Sequence, residues 1–122
     1  MDHQQFPPGY GRLLSSNDDA VTWLSDALGV VFKVWSGETG NALAMVEQPI
    51  MPEALAAPVH VHYREDEISY VLEGEVTVQL GERVVQASQG TLVFKPRGIP
   101  HTFWNQTRRK ARLLQIFTPG GF

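Results

Sequence analysis

From Val30 onward the chain consists of short apolar runs cut by turn residues. Val30-Val31-Phe32-Lys33-Val34-Trp35 is β-branched and aromatic, Ser36-Gly37-Glu38-Thr39-Gly40 has turn composition, and Ala42 to Val46 is apolar again. Such side chains suit a pleated, half-buried surface, so the pattern predicts two strands and a turn. Pro49, Pro52 and Pro58 exclude helix from most of the next stretch, and strand-like segments recur about every 8–12 residues to the C-terminus. Three turn signals separate them. Glu73-Gly74 predicts a tight hairpin between Tyr70-Val71-Leu72 and Glu75-Val76-Thr77-Val78-Gln79-Leu80. Gly81-Glu82, glycine first, fits a type II′ turn, and Pro96 with Gly98 forms a turn after which Pro100 holds Ile99 extended and a strand restarts at His101. The expected fold class is all-β, a barrel or sandwich.

Residues 1–19 combine Pro7, Pro8, Gly9 and Gly11 with the polar string Ser15-Ser16-Asn17-Asp18-Asp19. They read as an N-terminal arm, with one domain over residues 20–122. The only candidate helical turn runs from Asp18 to Ala27, where Asp18 or Asp19 would cap it.

Composition narrows the chemistry. A chain of 122 residues holds one core, so any active site lies within this domain or between copies of it. With no cysteine, disulfides, thiolate metal sites and cysteine nucleophiles are excluded, leaving imidazole and carboxylate as ligands. The net charge of −3 gives no footprint for nucleic acid, and the basic cluster Arg108, Arg109, Lys110 and Arg112 reads as a solvated turn. No apolar run is long enough to span a bilayer, and MDHQQFPPGY lacks the pattern of a secretory signal. A cytoplasmic protein with a small-molecule substrate, and neither a nucleic-acid nor a membrane partner, is expected.

His60 and His62 stand two apart, so in a strand both imidazoles share one face and one ion fits between them. Glu67 opens the strand Ile68-Ser69-Tyr70-Val71-Leu72 after the polar Tyr63-Arg64-Glu65-Asp66, which brings its carboxylate within reach. His101, at the start of a distant strand, completes four ligands if the barrel closes. Alternation from Glu67 places Ser69 and Val71 on the ligand face, and alternation from His101 places Phe103 there with Trp104 facing away. Val76, Val78, Leu92 and Phe94 are expected inward as well. Ser69, Phe94 and Phe103 are thus the candidate substrate pocket, and Phe32, Trp35, Tyr63 and Trp104 are aromatic candidates for stacking a planar substrate.

The spacing resembles a known family. His60-x-His62, four residues, Glu67, six residues and Gly74 resembles the first motif of the cupin superfamily. Gly90, five residues, Pro96-x-Gly98, two residues, His101, three residues and Asn105 resembles its second, after a 15-residue interval. Where cupins often have glycine six residues before the first histidine, this chain has Ala54. The resemblance implies a jelly-roll barrel in which His60, His62, Glu67 and His101 bind one divalent transition metal (Fe, Mn, Ni, Co, Cu or Zn). Glu67 would double as the catalytic base. Val59-His60-Val61-His62, Arg64-Glu65-Asp66-Glu67 and the Leu113 to Phe122 segment are further similar to small cupins of the quercetin 2,3-dioxygenase-like kind. That similarity implies a metal-dependent dioxygenase acting on an enol, flavonol-like or other aromatic molecule. A non-redox binding module and a metal-assisted isomerase or lyase are the alternatives. Cupins commonly pair through sheet faces and arms, so a homodimer is expected.

Overall fold

The computed structural model describes residues 6, 7, 9–14 and 21–121. Among the described residues ten strands follow in chain order: β1 (Thr22–Trp23), β2 (Gly29–Val34), β3 (Ala44–Ile50), β4 (Ala54–Leu55), β5 (Asp66–Glu73), β6 (Glu75–Leu80), β7 (Arg83–Ser88), β8 (Leu92–Lys95), β9 (His101–Asn105) and β10 (Ala111–Thr118). A 3-10 turn, Ser36–Thr39, joins β2 to β3 as the turn composition predicts. The strands form two antiparallel sheets, ordered β1-β2-β3-β10-β5-β8 and β4-β9-β6-β7. This is the expected all-β jelly roll. Among the described residues no helix is long and apolar enough to cross a membrane.

The core lies between the sheets. Ile50, Val71, Ala111 and Leu113 enter it from the larger sheet, and Val76, Val78, Ala87 and Phe103 from the smaller. Each comes from an alternate position of its strand, so the period-2 pattern is what closes the sandwich. Burying each large apolar side chain contributes about 1.5–3 kcal/mol.

Glu73-Gly74 does not turn a hairpin. β5 and β6 adjoin in sequence but belong to different sheets, with β10 and β8 flanking β5 and with β9 and β7 flanking β6. Gly74 has φ +77°, and a Cβ there would sit 2.8 Å from the Lys110 carbonyl oxygen. Glycine is needed because the chain rounds a corner pressed against the start of β10, not because two strands reverse. The β6–β7 connection is the true hairpin: Leu80 pairs with Arg83 across Gly81-Glu82, and only Gly81 has positive φ, as in a type II′ turn.

The inward assignment of Leu92 and Phe94 is corrected by register. β5 and β8 pair Glu67 with Lys95, Ile68 with Phe94, Ser69 with Val93 and Tyr70 with Leu92. Directly opposed residues share a face, so Val93 and Lys95 turn in with Glu67 and Ser69 while Leu92 and Phe94 turn out. Phe94 is 51% exposed and is not a pocket residue. Hydrophobicity misleads here because one of the buried positions on this strand is a paired charge.

The Asp18–Ala27 stretch is not helical where described: Thr22 and Trp23 form β1 against β2, and residues 15–20 lie outside the described residues. Of the predicted arm, residues 9–14 have no regular structure. There the Arg12 guanidinium donates to Glu38 and to the Lys33 carbonyl. The rest of the arm, apart from residues 6 and 7, lies outside the described residues.

Candidate metal centre

His60 lies not in a strand but at a single bridge. Its N–H donates to the His101 carbonyl at 3.0 Å and its carbonyl accepts from the His101 N–H at 2.9 Å. Pro58 behind and the turn at residues 63–64 ahead leave no room for a longer ladder, yet the extended backbone still turns both imidazoles one way. The second motif is fastened to the first by its turn. The Gly98 N–H donates to the His62 carbonyl at 2.7 Å, and Arg97 gives Asp66 its backbone N–H at 2.8 Å and two guanidinium bonds at 3.2 Å. Asn105 is fully buried and shapes the following loop. Its amide donates to the Arg109 carbonyl at 2.7 Å, and its oxygen accepts from Thr107 N–H and Oγ1 at 2.9 and 2.7 Å. Ala54, the departure from the family pattern, lies in the extended strand β4, and the left-handed residue next to it is Glu53, φ +54°. No glycine is required there.

The four predicted ligands converge. His60, His62, Glu67 and His101 each turn one donor atom into a volume where all four atoms lie within 4.8 Å of one another. Each imidazole is oriented from behind by its Nδ1–H: His60 donates to the Pro58 carbonyl at 2.8 Å, His62 to Glu65 at 2.6 Å and His101 to the Ile99 carbonyl at 3.0 Å. This fixes the tautomer that leaves an Nε2 lone pair facing the centre, the usual support for metal-binding histidines. His101 Nε2 is buried without a hydrogen-bond partner, a cost that a cation removes. Burial lowers the pKa of His60, the Pro58 carbonyl opposes, and the neighbouring His101 lowers it further, so the ring is neutral at pH 7. Three neutral imidazoles and a carboxylate fit a divalent transition ion.

Sequence reasoning missed Lys95. Its side chain is 1% exposed, and its Nζ donates to Glu67 Oε2. Oε1 is left facing His62 Nε2 at 3.3 Å and His101 Nε2 at 3.6 Å. One carboxylate oxygen is thus committed to the ammonium and the other to the centre. Burial pushes the Glu67 carboxyl up, but the neighbouring His101 and the charge and hydrogen bond of Lys95 outweigh it and bring the pKa to about 2. For Lys95 burial pushes down, with Glu67 opposing. A carboxylate so held is a firm anionic ligand and a weak proton acceptor at neutral pH. The available signal was the Glu67–Lys95 register, which requires knowing which strands pair.

Beside the ligands is a cavity of about 200 Å³, lined by Leu28, Gln48, Ala57, His60, His62, Glu67, Phe103, Gln115 and Phe117. Phe103 faces it as expected. Ser69, 1% exposed, acts from behind: its hydroxyl donates to Gln115 Oε1, and Gln115 Nε2 donates to Gln48 Oε1 at 2.9 Å. This relay occupies the side-chain oxygen of Gln48, itself one of the residues lining the cavity. The aromatic candidates lie elsewhere. Phe32 and Trp35 stack on each other at 4.0 Å, Tyr63 is exposed, and Trp104 pairs with Leu55 away from the pocket.

Residues 46–117 match the Cupin_2 family, a cupin domain. The chain belongs to the cupin family. Over 115 residues this cupin is 24% identical to the HTH-type transcriptional regulator PuuR of Escherichia coli, covering 94% of this chain and 61% of that protein. The chain therefore spans about three fifths of that relative's length. Among solved structures, KdgF from Halomonas sp. superposes with a TM-score of 0.81 at 18% identity, over 91% of this chain and 96% of that one. A predicted oxalate decarboxylase from Thermotoga maritima gives 0.82 at 18% identity, over 88% and 98%. At such identities these structures show the shared fold.

Proposed function

We propose that this cupin is a metal-dependent enzyme acting on a small enol, enediol or hydroxy-carbonyl compound that meets the metal through oxygen. The observation that carries this is the convergence of His60, His62, Glu67 and His101 beside a cavity. A divalent ion held by His60, His62, Glu67 and His101 would supply Lewis acidity toward a substrate oxygen and, if redox-active, oxygen chemistry. The protein's own contributions are positional. Gln48, braced through Gln115 by Ser69, offers an amide N–H to a second substrate oxygen, and Leu28, Phe103 and Phe117 exclude water from the reacting carbons. Cavities for drug-sized ligands are typically about 300–1,000 Å³. The 200 Å³ here favours a substrate smaller than a flavonol. Dioxygenation of such an enol is the leading reaction and isomerisation the alternative within the same substrate class.

A panel of small enediols, catechols and α-hydroxy ketones, with a flavonol for comparison, tests this on metal-loaded protein. Oxygen uptake with a small substrate supports dioxygenation, and an isomer formed without uptake supports proton transfer. No change in any substrate would sink the enzyme proposal. It would favour a ligand-holding module instead, to which the match with a transcriptional regulator also points.

A further inference from the structure

A wall built only to hold a divalent cation gains nothing from an ammonium group, because like charges at short range repel. Yet Lys95 lies directly opposite Glu67 across β5 and β8, is 1% exposed, and places its Nζ on Glu67 Oε2. The same nitrogen lies 5.2 Å from the centroid of Phe103, which lines the cavity. Burying an ion is costly unless it is paired, and the pairing here is complete: one ammonium, one carboxylate. The balance of charge follows. His60, His62 and His101 are neutral ligands, and Lys95 cancels Glu67. The remaining cavity residues, Leu28, Gln48, Ala57, Phe103, Gln115 and Phe117, carry no charge. Glu65 stands behind His62, hydrogen-bonded to its Nδ1. A divalent ion on these ligands would keep most of its positive charge, and among the described residues the cavity lining offers nothing else to neutralise it.

We infer that Lys95 makes this centre selective for anionic ligands, a carboxylate or enolate oxygen, over neutral ones. It does so by cancelling the charge of Glu67 and by holding Oε2 so that Glu67 offers a single oxygen. The inference rests on the metal-centre reading above and adds a substrate class to it. Lys95 is a positioning and charge-setting residue. It acts on the metal through Glu67, and its effect is a trade: weaker hold on the cation, stronger hold on an anion beside it.

Wild type, Lys95→Met, Lys95→Gln and Lys95→Arg are compared as full chains, each checked for folding by circular dichroism and loaded with Co(II). Chelator competition measures Co(II) affinity, and visible absorption follows titrations with azide, an anion, and imidazole, a neutral donor. Wild type is expected to bind azide more tightly than imidazole. The two neutral variants are expected to bind Co(II) about 10- to 100-fold more tightly, since one unit charge has been removed nearby. Their azide-to-imidazole preference should fall by at least about tenfold, with a changed absorption band as Glu67 Oε2 is freed. Lys95→Arg should stay within about threefold of wild type, since its charge is retained. Unchanged Co(II) affinity and unchanged ligand preference in a folded neutral variant would overturn the inference and leave the metal centre standing. So would a wild type that prefers imidazole. A wild type that binds no Co(II) would overturn the metal centre itself.

Discussion

At Glu67 the competing effects are large and the outcome is decided by neighbours. Burial alone raises a carboxyl pKa, but His101 and Lys95 bring this one from 4.5 to about 2. A carboxyl whose folded pKa is depressed stabilises the fold above its unfolded pKa, and that contribution is lost as pH falls through the folded value. Metal-free protein should therefore lose stability between about pH 4.5 and pH 2, with Glu67 responsible for at most about 3 kcal/mol of it. In Lys95→Met the buried carboxylate has lost its cation, so its folded pKa rises and its share of the acid loss shrinks or reverses. Urea denaturation across this pH range checks the prediction. Parallel acid limbs in the two proteins would show that the ion pair does not set the Glu67 pKa.

At the scale of elements, the ligand positions were legible and the strand partners were not. His60 and His62 share a face through extended backbone whether or not a full strand forms, and His101 begins β9 where the Pro96-Arg97-Gly98 turn predicts. These features depend on local periodicity and turn chemistry, which the sequence carries directly. The inward face of β8 depends on its register with β5, a tertiary fact, and a rule that sends apolar residues inside chose Phe94 over Lys95. Gly74 was legible as a glycine turn, but local sequence does not say whether a turn closes a hairpin or carries the chain to another sheet. The corner geometry predicts a specific cost. Gly74→Ala forces a side chain into φ +77° and against the Lys110 carbonyl. It should destabilise by about 2 kcal/mol or more, read as a lower denaturation midpoint. A loss under about 0.5 kcal/mol, the range of a plain surface substitution, would mean the corner has room to open.

Over the whole molecule, the outer face of the larger sheet sets apolar side chains side by side across three strands. Tyr70 lies beside Leu92 and Leu114, and Ile68 beside Phe94 and Ile116, in one register. Tyr70, Leu92 and Phe94 are all exposed. Contiguous exposed apolar patches mark association surfaces. We propose that a second copy of the chain covers this face, burying Leu92 and Phe94, which sequence patterning sent inward. Light scattering at micromolar concentration should give a dimer mass, and Phe94→Glu should give a monomer that still binds metal. A monomeric wild type would contradict the proposal.

The metal centre itself is tested most directly by metal analysis of protein purified without chelators or immobilised nickel, followed by titration of the stripped chain. About one divalent transition ion per chain is expected, because the four donors converge on one volume. Occupancy should drop in His62→Ala and Glu67→Gln, each of which removes or weakens a ligand. A folded wild type that takes up no ion from an excess, or full occupancy in either variant, would contradict it.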